Sequence, residues 1–68
     1  MSTFIDRLKL ELSDLESKIN GLESFFDNDN FDKIDEVQKV LLRVQLKAMH
    51  TYKQCLNERI SKLLLIEI

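Results

Sequence analysis

The sequence predicts an all-α protein: an antiparallel two-helix hairpin that assembles into an oligomeric helical bundle. Three observations lead there. Proline is absent and glycine occurs once, against 44% apolar and 32% charged residues, a composition suited to long helices rather than to sheet or disorder. Apolar residues recur every three or four positions through two long stretches. A cluster of Asp and Asn, "DNDNFD" at 27–32, separates those stretches and marks a turn. At 68 residues the chain reads as one domain, 1–68, whose small core leaves only a few kcal/mol of net stability. Self-association is therefore an expectation from the outset.

The first helix is expected from about residue 3 to about residue 26. Ile5, Leu8, Leu12, Leu15, Ile19, Leu22 and Phe26 alternate strictly by three and four, a heptad seam held for three repeats. Ser2 or Thr3 offers an N-cap, and Asp6 lies near the positive end of the helix dipole. Gly21 interrupts good helix formers at a cost of about 1 kcal/mol relative to Ala and suggests a kink or a close approach.

The turn is expected at about 27–35. Its acids invite a calcium-loop reading, but counting from Asp27 puts Asp32 where glycine is required and Gln38 where a bidentate glutamate should close the loop. Phe31 and Ile34 are instead assigned to plug the open end of the hairpin. Asp35 followed by Gln38 has capping-box spacing and starts the second helix at about residue 36. That helix should run to about residue 64.

On a helical wheel the apolar residues of the second helix, from Val37 through Leu41, Leu42, Val44, Leu46 and Met49 to Leu56 and Ile60, span roughly 200°. One partner helix cannot cover so wide an arc. The tail "KLLLIEI", with Leu63 to Ile66 and Ile68, adds apolar surface that calls for cover. A homo-oligomer is the expected assembly.

Gln38, Gln45, Tyr52 and Arg59 recur every seven residues inside that arc and form a slanting polar line. Burying such groups costs free energy unless each finds a partner. Two readings stay open. The line fixes coiled-coil register, with Arg59 turned outward or paired with an acid of the first helix. Alternatively it lines a ligand pocket between protomers, where Tyr offers a flat face, Gln reads hydrogen-bonding edges and Arg grips phosphate. Lys47 and Lys53 would add positive potential there, with Lys62 beside them.

Charge is unevenly distributed. Residues 1–35 carry four basic against nine acidic side chains, a net −5, and residues 36–68 carry six against three, a net +3. The acidic half beside the basic helix argues against DNA binding. His50 and Cys55 lie about 140° apart on the wheel, so they form neither a metal pair nor a nucleophilic dyad. No glycine-rich phosphate loop or sheltered carboxylate pair is present, so neither an enzyme nor a cofactor is expected. His50 reads as a surface residue and Met49 as core filler. The lone Cys55 suits a reducing compartment. The start of the chain lacks the apolar run of a signal peptide, and no stretch approaches the ~20 apolar residues of a membrane span. A soluble protein of the cytoplasm is expected.

The pattern "F..I...Q..LL..QL.AM..Y...L..RI", carried by Phe31, Ile34, Gln38, Leu41, Leu42, Gln45, Leu46, Ala48, Met49, Tyr52, Leu56, Arg59 and Ile60, resembles a group of small helical proteins of phages and prophages, crAss-like phages included. The resemblance covers about residues 4–60. More loosely, a short oligomerising hairpin is similar to the anti-CBASS and anti-Thoeris sponges of phages, although the local motif of the anti-CBASS sponges is missing. The likeness implies a sponge that sequesters a cyclic oligonucleotide or ADP-ribose-type signal without cleaving it. The other readings are a small phage inhibitor that docks on a host defence protein, and a purely structural bundle.

Overall fold

The computed structural model describes the backbone of residues 3–67 and the side chains of residues 3–65. Two α-helices, α1 (Thr3–Phe26) and α2 (Glu36–Glu67), flank a 3₁₀ turn at Asp29–Lys33. No strand occurs among the described residues, so the all-helical expectation is met. The cap offered by Ser2 and the tail contact through Ile68 lie outside the described residues.

The α1 seam packs as its spacing demands. Ile5, Leu8, Leu15 and Ile19 are buried, and Leu12 is half-buried against the same core. From α2, Leu56 is fully enclosed at 0% exposure and Ile60 is buried beside it. Leu46, Met49 and Leu63 pack around them.

The seam of α2 is narrower than the apolar arc, and it is not the half that contains Leu41. Every buried or half-buried residue of α2 falls at Lys39, Leu42, Leu46, Met49, Lys53, Leu56, Ile60 or Leu63, which is one alternation of three and four. The lysines fit because each lays its stem on the seam and sends its charge to a carboxylate. Lys39 Nζ meets Glu36 at 3.0 Å, and Lys53 Nζ meets Glu16 across the hairpin at 3.5 Å.

The turn is a built structure rather than a slack connection. Asn28 caps the 3₁₀ segment by accepting the Asn30 N–H on its side-chain oxygen at 2.9 Å. Its carbonyl accepts from the Phe31 N–H at 3.0 Å. This tight winding turns Phe31 inward, where it is buried and meets Phe25 and Phe26 edge-on at centroid separations of 5.9 and 4.8 Å. Ile34 is half-buried beside it. The plug of the hairpin end is thus mainly an aromatic cluster.

Two local expectations are corrected. A Cβ built on Gly21 meets nothing within 4 Å, and α1 runs through it unbroken, so it marks no close approach. The capping box does not form: Asp35 starts α2 through its carbonyl, which accepts the Lys39 N–H at 3.0 Å, and its side chain makes no such bond. Lys39 is drawn instead to Glu36.

Candidate functional site

Along α2, four surfaces follow one another around the helix. The first is the seam against α1. Roughly 120° away, at 100° per residue, runs a second set of apolar side chains that the hairpin leaves open. Val37, Leu41 and Val44 are 62%, 53% and 60% exposed, with Val40 at 55%. Ala48 and Cys55 continue the stripe, both exposed. Its spacing also alternates between four and three, so α2 carries two heptad seams and α1 fills only one.

The polar line runs between these seams. Gln38, Gln45, Tyr52 and Arg59 are all exposed in the hairpin, Tyr52 at 43%. The expectation that they sit in a core position is therefore corrected: within one chain they bear no burial penalty, because α1 takes the Leu42–Leu56 side rather than the Leu41 side. Gln45 touches the core only at its edge, with Nε2 4.0 Å from the Met49 sulfur. Arg59 makes no ion pair among the described residues and lines a shallow groove of about 360 Å³ with Phe4, Lys62 and Leu63. Successive members of the line are about 10 Å apart along the axis, at 1.5 Å per residue. One small ligand on one chain can touch two of them at most.

The two lysines fall elsewhere. Lys53 belongs to the hairpin seam and is held by Glu16. Lys47 is exposed on the opposite flank, about 160° around from Gln45. There it contributes to the fourth surface, an open cleft of about 620 Å³ at the turn end of the hairpin. Phe26 and Phe31 give it an aromatic base, Val44 and Leu46 add apolar lining, and Arg43, Lys47 and His50 form its basic rim. The Arg43 guanidinium stacks 5.5 Å above the Phe31 centroid, with Lys39 Nζ at 5.7 Å. His50 is exposed as expected, but its Nε2 pairs with Glu23 of α1 at 3.4 Å.

Sequence reasoning did not single out Arg43. The available signal was the i, i+4 spacing of Arg43 and Lys47 followed by His50, with an aromatic residue in the turn. Among the described residues no group of three or more His, Cys, Asp or Glu side chains could hold a metal ion. No described helix is long and apolar enough to cross a membrane.

Comparison with known proteins adds a lineage to this geometry. The model of a protein family described as Sequestin matches residues 2–62. A protein of Enterobacteria phage T4, described as an uncharacterized 7.5 kDa protein in the denB-rIIB intergenic region, is 34% identical over 62 residues, covering 91% of this chain and 97% of its own length. No solved structure matches.

Proposed function

The chain belongs to the Sequestin family, and we propose on that footing that it is a phage-type sequestering protein without enzymatic activity. In this reading a homo-oligomer holds a phosphate-bearing nucleotide immune signal, a cyclic oligonucleotide or an ADP-ribose-type molecule, in pockets between protomers within the host cytosol. The family's name speaks of sequestration, and the similar T4 protein shares a phage setting. The ligand class is our own inference from the side chains.

One observation carries the reading: the polar line edges an apolar stripe that one hairpin cannot cover. A second copy is the occupant that suits the stripe. Its heptad spacing matches that of a helix packing partner, and the −5 and +3 halves of the sequence let acidic α1 of one copy face basic α2 of another. Association along the stripe would set Gln45, Tyr52 and Arg59 of one copy beside the surface of the next. This overcomes the ~10 Å spacing that prevents one chain from surrounding a nucleotide.

The test is a thermal-shift screen against cyclic oligonucleotides and ADP-ribose derivatives, followed by calorimetry. A ligand present at 100 times its Kd should add about 2.7 kcal/mol of stability. Arg59→Ala should remove a charge-assisted contact worth roughly 1.5 to 3 kcal/mol, an affinity loss of about 10- to 150-fold. Tyr52→Phe should keep most binding by retaining the ring, whereas Tyr52→Ala should not. If no nucleotide binds the wild type, the same open stripe favours the second reading, an inhibitor that docks on a host defence protein.

A further inference from the structure

The basic rim of the turn-end cleft is not explained by the polar line, with which the cleft shares none of Gln38, Gln45, Tyr52 or Arg59. Two of the basic groups around it already face carboxylates: Lys39 is bound to Glu36, and the His50 ring meets Glu23. Arg43 and Lys47 are the exceptions: among the described residues neither side chain has a carboxylate partner or a hydrogen bond. What distinguishes Arg43 and Lys47 is that they stand side by side at one concave surface.

The pair stands one helical turn apart, so both side chains rise from the same face. Arg43 is held from below by the Phe31 ring, a contact that orders the guanidinium without using its N–H donors. Phe31 is itself buried and clamped edge-on by Phe25 and Phe26, so the platform is rigid. The two cations attract an anion to the cleft, and the aromatic base gives an attached apolar group a surface to rest on. A volume of about 620 Å³ lies within the range of small-molecule sites.

We propose that this cleft is an anion site for a phosphate-bearing small molecule, with the Arg43 guanidinium and the Lys47 ammonium as its phosphate grip. His50 also stands at the rim, with its Nε2 turned to Glu23, and is not counted in the grip. Glu23, its partner from α1, is the carboxylate nearest the site and keeps the rim from being purely cationic. The site lies about 24 Å along α2 from Arg59, at 1.5 Å per residue. It is therefore separate from the polar line of the preceding proposal, although Val44 belongs both to the cleft and to the open stripe.

The test is calorimetric titration of the full chain with inorganic pyrophosphate and, separately, with ADP. Wild type, Arg59→Ala, Lys47→Gln and the double variant Arg43→Gln/Lys47→Gln are compared, with helicity and mass checked for each. Wild type and Arg59→Ala should bind pyrophosphate equally, and the double variant at least tenfold more weakly with helicity and mass unchanged. Lys47→Gln alone should weaken binding several-fold, and it serves if the double variant does not fold, since Lys47 is exposed and its side chain makes no hydrogen bond or ion pair among the described residues. Tighter binding of ADP than of pyrophosphate would show that the apolar base takes the nucleoside; equal binding would confine recognition to the phosphates. Absence of pyrophosphate binding by wild type at millimolar concentration would overturn the proposal. So would affinity unchanged in the double variant, an equal loss in Arg59→Ala, or a change of mass showing that a second copy occupies the cleft.

Discussion

Leu56 shows how much one side chain does in so small a core. Among the described residues it alone is fully enclosed, packed where Leu8, Leu15 and Ile19 of α1 converge with Ile60. Leu56→Ala removes buried methyls and leaves a cavity that two rigid helices cannot close, at a cost of about 2 to 5 kcal/mol. That loss rivals the whole stability expected of a 68-residue domain, so urea denaturation should find the variant largely unfolded at 25 °C. A loss under 1 kcal/mol would mean that the enclosure of Leu56 does not describe the protein in solution. The half-exposed Lys53–Glu16 bridge should count for far less. Lys53→Gln keeps most of the stem on the seam and should cost under about 1 kcal/mol, read from the same denaturation curve, because screened surface pairs contribute little.

At the scale of elements, the helical period was legible because every third or fourth residue of α1 is large and apolar. The second helix was harder for a physical reason. Its apolar arc contains two overlapping seams, and Leu41 and Leu42 belong to different ones. Side-chain size separates them in hindsight: Leu42, Leu46, Met49, Leu56, Ile60 and Leu63 face α1, while Val37, Val44, Ala48 and Cys55 with Leu41 stay open. Long side chains fill the wide space between two unsupported helices, and short or branched ones form the flatter outer stripe. Treating both seams as one arc placed the polar line in the core, although it is exposed at the border between them. The turn-end cleft was out of reach for another reason, since it exists only because the 3₁₀ winding brings Phe31 beneath Arg43. Gly21 gives this scale its own prediction. It sits in unbroken helix with open space where a Cβ would stand, so Gly21→Ala should add about 0.5 to 1 kcal/mol by reducing the freedom of the unfolded chain. A rise of a few degrees in Tm by circular dichroism checks it, and a fall would reveal a neighbour at Gly21 that one hairpin does not show, such as a second copy.

The whole molecule is a rod of 50 × 16 × 14 Å, two helices side by side with no third layer. A rod this thin buries one seam and leaves another, so the free hairpin keeps apolar surface in water along most of α2. Pairing along the open stripe would convert that surface into a second core, and mass action would then make stability depend on concentration. Native mass spectrometry at micromolar concentration should accordingly find at least a dimer, and Tm should rise as the protein is concentrated. Val37→Glu combined with Leu41→Glu is the decisive variant, because neither residue lines the turn-end cleft. Both residues are more than half exposed in the hairpin, so the charges leave the α1–α2 core untouched while placing two carboxylates in any shared seam. The variant should be helical and monomeric, with a Tm that no longer responds to concentration. It should also lose affinity for any nucleotide held by Gln45, Tyr52 and Arg59, because a pocket between protomers disappears with the protomer contact. Pyrophosphate binding at Arg43 and Lys47 should survive, since that grip belongs to one chain. A wild type that remains a stable monomer would remove the shared pocket and leave the stripe to a different partner.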